Sequence, residues 1–238
     1  AEGLASRFHE VAGQLEAVKA ETKDYMDTAS AELNTLASQL AAVNGQLSKR
    51  NSVEVQPATL LDERDLLLQK LSAFARIKPT FAANGEVSVS LANSLAKDML
   101  VEGQDARTLA IVGDAADGTR YEALLDPYGD KEVVSGLSSG EIGGLLAFTE
   151  QVLGPAESRL NHLAQVLAQE VNQIHQNALD GYGNQGGVIF AFDAGQVEGA
   201  ASIGVALDDP RKIATAAMFR AIESPSNPSR VRVDWSFE

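Results

Sequence analysis

Few residues in this chain could do chemistry, and their spacing argues against it. The three histidines are His9, His162 and His175. Two histidines share a metal on one helix when they sit three or four positions apart with further ligands at hand. His162 and His175 are thirteen positions apart on one helical pattern, and no histidine has a second at ligand spacing. There is no cysteine, so a thiol nucleophile, a disulfide and a cysteine-based zinc site are excluded. Asp180-Gly181-Tyr182-Gly183-Asn184 opens like a calcium loop, but the twelfth position, where a bidentate glutamate is needed, is Ala191. A glycine-rich turn is the expectation there. Neither Gly143-Gly144 nor Gly186-Gly187 is followed by the Lys-Ser/Thr of a phosphate loop. The acid pairs Asp62-Glu63 and Asp208-Asp209 read as helix-start residues. No catalytic residue, cofactor-binding residue or metal ligand is assigned, and an enzyme is not expected.

The elements account for most of the chain. Hydrophobic residues make up 45% of it and aromatic residues only 5%, a composition suited to Ala/Leu-packed helices. The net charge of −14 argues against nucleic acid as a partner and disfavours anionic membranes. No run reaches the roughly 18 apolar residues of a membrane span. The chain opens without methionine inside a helical pattern, as expected of an excised fragment.

From Leu4 to Arg50 the seam Leu4, Phe8, Val11, Leu15, Val18, Thr22, Met26, Ala29, Leu33, Leu36, Leu40, Val43, Leu47 advances in steps of three and four. One extra four-step around Thr22 is a stutter. A helix over 4–50 would be about 70 Å long. Its second half, Leu33 to Ser48, carries no charge, so it is expected to be covered on more than one side. Asn44-Gly45 is expected to loosen the helix end. After a loop at 51–57, Thr59 and Asp62 have capping-box spacing at the start of a helix over 60–76, with Arg64 in its stripe. A third helical stretch covers 139–179, with Ser138 and Glu141 at capping-box spacing and an expected kink or brief break at Gly154-Pro155.

Between the second and third helices the period changes to two. Alternating runs flank Asn84-Gly85, a hairpin signal in which both turn residues tolerate positive φ. Further strands are expected at 99–101, 107–112 and 121–125, with a turn at Asp117-Gly118, giving one small antiparallel sheet of about four strands over 78–126. Short strands at 202–207 and 218–222 and a capped helix from Pro210 to Ala217 follow. Val231, Val233, Trp235 and Phe237 alternate with polar residues at the end.

The fold class is therefore mainly α with a small β part (α+β). An antiparallel bundle of long helices over 1–217 holds an inserted β-hairpin region at 78–126, and a β-rich outer domain begins at 218–238. The expected helix-packing seam is Leu33, Leu36, Leu40, Val43 and Leu47 on the first helix, Leu67 and Leu71 on the second, and Leu160, Leu163, Leu167 and Val171 on the third. The charge-free stretch 33–48 is expected to lie opposite 160–171.

Three segments in order, Leu60-Leu61-Asp62-Glu63-Arg64-Asp65-Leu66-Leu67-Leu68, Ser138-Ser139-Gly140-Glu141-Ile142-Gly143-Gly144-Leu145-Leu146-Ala147-Phe148, and Gln169 to Gln176 continuing through Gly181-Tyr182-Gly183-Asn184 to Phe190-Ala191-Phe192, resemble the flagellar hook-associated protein 1 family. The resemblance covers about residues 25–217, with Ala147 at a position commonly acidic in the family. It implies a central fragment of a non-catalytic, extracellular subunit at the hook–filament junction of the bacterial flagellum, secreted by type III export. The partners it implies are the hook protein, the second hook–filament junction protein, copies of itself in a ring, and an export chaperone bound through terminal segments outside this chain. Another axial flagellar subunit, flagellin-like or the second junction protein, and a non-flagellar coiled-coil adaptor or sensory module are the alternatives.

Overall fold

The computed structural model describes residues 1–91, 98–113, 120–126, 129, 132–217, 220–224 and 227–234. They fall into two compact units, Glu16–Ala156 and Ala1–Leu15 with Glu157–Glu238. Helix α1 (Glu2–Leu47) contributes to both.

In the Glu16–Ala156 unit, α1 keeps its helix because no proline interrupts it and apolar residues recur every three or four positions. Gln56 Nε2 donates to the Leu47 carbonyl at 2.7 Å, satisfying an end group of the helix. Helix α2 (Ala58–Phe74) starts after Pro57, and no side chain caps it. The Thr59–Asp62 capping box is thus not formed, because the helix begins before Thr59. Strands β1 (Ile77–Phe81), β2 (Val87–Leu91), β3 (Met99–Glu102) and β4 (Asp105–Ala106) make a four-stranded antiparallel sheet in sequence order. Strands β5 (Leu109–Gly113), β6 (Tyr121–Leu125) and β7 (Glu132–Val134) make a separate three-stranded one. Two sheets replace the single expected sheet. The turn expected at Asp117-Gly118 lies outside the described residues.

The β1–β2 hairpin differs in detail from a two-residue turn. Ala82 N–H bonds Glu86 O at 2.9 Å and Gly85 N–H bonds Ala82 O at 3.0 Å. Only Gly85 has positive φ, at 90°. This is a three-residue loop in which glycine supplies the left-handed residue. Helix α3 (Gly140–Phe148) follows, with Ser139 before it but no side-chain cap. Gly140 has φ 76°, and a Cβ there would lie 2.6 Å from the Phe74 carbonyl, so the start of α3 rests against the end of α2.

The helix then runs through a π turn (Thr149–Leu153) into α4 (Gly154–Gln176). Pro155 lacks the N–H that would continue the ladder and crowds the turn before it. Gly154 N–H reaches back to Thr149 O. The interruption expected at Gly154-Pro155 thus takes the form of one widened turn just before it.

In the other unit, β8 (Ala178–Leu179), β9 (Phe190–Phe192) and β10 (Ile203–Val205) are short. β9 pairs with β10, and β8 pairs with β11 (Ala216–Ala217). Asp209 caps the brief 3₁₀ turn Pro210–Lys212 by accepting the Arg211 N–H, so the helix expected over Pro210 to Ala217 is one turn long. Strands β12 (Arg220–Ser224) and β13 (Asn227–Asp234) form a hairpin. Met218 and the residues after Asp234 lie outside the described residues. The chain is an α+β fold, helical in the main, with small antiparallel sheets.

Candidate assembly surface

Each unit has its own apolar core. In Glu16–Ala156, Leu33, Leu40, Val43, Leu47, Leu67 and Leu71 are buried together with Val87, Val89, Leu100, Leu109 and Ile142, and Leu36 packs against them half-buried. One face of the charge-free stretch 33–48 is thus buried in this core, but Thr35, Ser38, Gln39, Ala42 and Gln46 on its other side are exposed, so the stretch is not covered on more than one side as expected. In the other unit, Ala5, Phe8, Ala164, Ala168, Phe190, Ala200 and Ile203 are buried, with Leu160, Leu167 and Val171 half-buried against them. The stretches 33–48 and 160–171 therefore belong to different cores, not to the single packed seam expected. Leu163 joins neither core and is 56% exposed.

Polar side chains carry the docking between helices and strands. Asn44 is fully buried. Its Nδ2 donates to Val87 O at 2.8 Å and to Gly103 O at 2.6 Å, and its Oδ1 accepts the Val87 N–H at 2.9 Å. A side-chain amide has the donor and acceptor of a peptide group, so Asn44 pairs with β2 as a neighbouring strand would. Asn34 does the same to Leu109 at the start of β5, donating at 2.9 Å and accepting at 2.8 Å. Asn172 does it to β9, donating to Phe190 O at 2.8 Å and accepting from Ile189 and Phe190 N–H at 2.7 and 3.0 Å. Asn34 and Asn172 thus cover open edges, of β5 and β9, which unpaired would invite pairing with other chains, while Asn44 bonds the end of the interior strand β2 and the Gly103 carbonyl after β3. Asn44 anchors α1 where loosening was expected. Arg64, almost buried, donates to Gly85 O at 2.8 Å, pairs with Asp65 at 2.7 Å and lies 4.8 Å from the Phe81 ring centroid.

Two histidines, His175 and His9, are held in the same way, while His162 is exposed. His175 is 4% exposed. The Ala214 N–H donates to its Nε2 at 2.7 Å, which leaves Nδ1 protonated and donating to Gly187 O at 2.7 Å. Gly186 packs so close to this helix end that a Cβ would meet the His175 carbonyl at 2.2 Å. His9 Nε2 lies 2.8 Å from Ile203 O. Among the described residues no group of three or more His, Asp or Glu could hold a metal ion. In the loop after β8, Asp180 Oδ1 accepts the Tyr182 and Asn184 N–H groups at 2.9 and 2.8 Å, the local hydrogen bonding of a turn. Arg107 binds Asp126 and, at 2.9 Å, Glu132. Burial works against its charge, but the hydrogen bonds to Asp126 and Glu132 prevail and raise its pKa.

The remaining candidate surface is apolar and lies on helices. In the unit formed by 1–15 and 157–238, Leu4 and Val11 of α1 are 41% and 40% exposed. Leu163, Val166 and Ile174 of α4 are 56%, 39% and 70% exposed. In the Glu16–Ala156 unit, a groove of about 450 Å³ is lined by Leu36, Ala73 and Phe74 between Glu32 and Lys70. Such surfaces can bind other proteins.

Residues 1–190 match the family model of the flagellar hook-associated protein FlgK helical domain. Flagellar hook-associated protein 1 of Salmonella typhimurium is 31% identical over 197 residues, which are 81% of this chain and 35% of that protein. The protein of the same name from Bacillus subtilis is 28% identical over 225 residues, 84% of this chain and 43% of that one. The structure of the flagellar hook junction protein FlgK from Burkholderia pseudomallei matches with a TM-score of 0.70 at 30% identity, covering 80% of this chain and 35% of that chain. The chain spans about a third of the length of the Salmonella relative.

Proposed function

The chain belongs to the flagellar hook-associated protein FlgK helical-domain family, and from that membership we propose that it serves as a structural, non-catalytic part of the hook–filament junction of a bacterial flagellum. The observation that carries the reading is the family match across both long helical stretches, on a fold whose polar side chains are spent on backbone docking. Polar groups tied up in holding strands to helices are not free for substrate chemistry. Exposed aliphatic rows on α1 and α4 suit lateral packing in an assembly.

In this reading the protein leaves the cell through the flagellar export apparatus and stands on the flagellum. Its neighbours are the hook protein, the second hook–filament junction protein and copies of itself in a ring. An export chaperone would hold terminal segments outside this chain. Passage through a narrow channel requires an unfolded chain, and the absence of cysteine removes cross-links that would resist unfolding. The cooperative unit for lateral packing would be the helical domain over 1–217, with 218–238 leading into a β-rich outer domain.

A clean deletion tests this. Hooks without filaments, with flagellin lost to the medium and restored filaments on complementation, are expected. Normal filaments on the deletion strain would overturn the reading.

A further inference from the structure

The dipeptide Asn-Gly occurs twice, at Asn44-Gly45 and Asn84-Gly85. Such a pair can react with itself. The asparagine Cγ and the next backbone nitrogen close a five-membered ring, and glycine has no Cβ to shield that nitrogen. The fold treats the two pairs differently. Gly45 lies inside α1, where backbone N–H groups point along the axis to the carbonyl four residues back. Asn44 is fully buried, and its side-chain bonds run to Val87 and Gly103. Asn84 stands in the loop between β1 and β2, half-buried, and its side chain bonds to Glu86, two residues on.

The bonds around Asn84 suit that reaction. Its Oδ1 accepts the Glu86 N–H at 3.1 Å, so a donor already faces the oxygen on which negative charge develops when Cγ is attacked. The attacking nitrogen, Gly85 N, is held by a bond to Ala82 O at 3.0 Å, at a loop tip, where local opening costs least. Gly85 N gives its proton to solvent and attacks Cγ. The new N–Cγ bond closes a succinimide ring, the Cγ–Nδ2 bond breaks, and Nδ2 takes a proton from solvent and leaves as ammonia. Water then opens the ring. Breaking the new N–Cγ bond leaves aspartate. Breaking the original Asn84–Gly85 bond leaves isoaspartate, with the chain rerouted through the side-chain carbons. Nothing is oxidised or reduced, and water is the co-reactant.

We propose that Asn84 is a site of spontaneous deamidation and isoaspartate formation in the folded protein, and that its conversion releases the β1–β2 hairpin tip from the end of α1. Asn84 O accepts from Gln56 Nε2 at 2.8 Å, and the same nitrogen donates to Leu47 O in the last turn of α1. In isoaspartate that carbonyl becomes a free carboxylate outside the chain. Either product loses the Nδ2 bond to Glu86 Oε2, 2.9 Å long, and sets a second carboxylate against the first. Rerouting also lengthens the chain by a methylene beside Gly85, where there is little room. A Cβ on Gly85 would meet Leu61 and Val53 at 3.3 Å, and the Gly85 carbonyl holds Arg64 at 2.8 Å. Conversion therefore adds negative charge to the hairpin tip with time and frees it, without an enzyme.

The test holds full-length protein in mildly alkaline buffer, folded in one sample and unfolded by urea in another. Peptide mapping by mass spectrometry, with electron-transfer fragmentation to separate isoaspartate from aspartate, follows both asparagines. In the folded sample Asn84 should convert at least about tenfold faster than Asn44, which reacts only when the core opens. In urea the two rates should agree within about threefold, because both are then Asn-Gly in an unfolded chain. Asn84→Gln should remove the product at this position. The Val53 N–H bonds Ala83 O in the same loop at 3.1 Å. In the converted protein its hydrogen exchange should be at least about fivefold faster than in fresh protein. Three results would each overturn the proposal: equal conversion of Asn44 and Asn84 in the folded protein, no conversion of folded Asn84 while the urea sample converts, or unchanged exchange at Val53 after conversion.

Discussion

Replacing Asn44 by alanine should cost the Glu16–Ala156 unit about 3 kcal/mol. The side chain is fully buried and makes three hydrogen bonds, two to Val87 and one to Gly103. Truncation strands the Val87 N–H and two carbonyls. A buried donor or acceptor left unpaired costs about 1–3 kcal/mol, and under-satisfied carbonyls are tolerated better than an orphaned N–H. Alanine returns about half a kcal/mol through its better helix propensity. A loss of about 3 kcal/mol corresponds to a fall in melting temperature of about 6–12 °C for a domain of this size. Asn44→Asp should be no milder, because it keeps the acceptor for Val87 N–H but sets a carboxylate oxygen against two carbonyls. Urea denaturation followed by circular dichroism gives the stability. Hydrogen exchange at the Val87 amide reports the local bond. Asn44→Ala within about 0.5 kcal/mol of wild type, the range of an ordinary surface change, with the Val87 amide still protected, would refute the strand-docking role.

Other expectations are more local. Leu71→Ala, at a fully buried site, should lose about 2–5 kcal/mol, while Leu163→Ala should stay within about 0.5 kcal/mol; equal losses in denaturation would contradict the placement of Leu163 outside the core. Nitrogen-15 spectra should show His175 as the neutral Nδ1–H tautomer, and an Nε2–H tautomer would contradict the bond from Ala214. The hydrogen bond from Lys212, 2.7 Å away, holds the Asp208 carboxyl below the usual range. With a lowered folded value, the contribution of this pair is present above the ordinary carboxylate pKa of about 3.9 and is lost as pH falls through the folded one. Lys212→Met should move the Asp208 titration midpoint up towards the ordinary value in an NMR titration, and an unmoved midpoint would remove Lys212 as the cause.

Helices were legible because their signal is periodic and local. The stretches 4–50, 60–76 and 139–179 each enclose an observed helix to within a few residues, and the disruption at Gly154-Pro155 was placed correctly, though its form as a π turn was not. Periodicity could not divide the second half of α1 from α4, because it says which face is apolar and not what covers it. Leu163 illustrates this: it neighbours buried Ala164 in a stripe wider than the arc that packs. The docking asparagines were missed for a different reason. Asn44 is bonded 43 and 59 positions away, and a single amide has no period. A usable sign was present, since Asn44 follows the apolar run Leu40-Ala41-Ala42-Val43. A polar residue inside a charge-free, apolar stretch of helix has to find a partner or stay wet. The two sheets were merged into one because strand periodicity does not say which strands pair.

The central claim, a structural place between hook and filament, is tested most directly by locating the protein. Gold-labelled antibody on isolated, intact flagella, viewed by electron microscopy, should mark a single narrow band at the distal end of the hook. Label spread along the filament, or retained on the cell body with none at the hook's end, would contradict it.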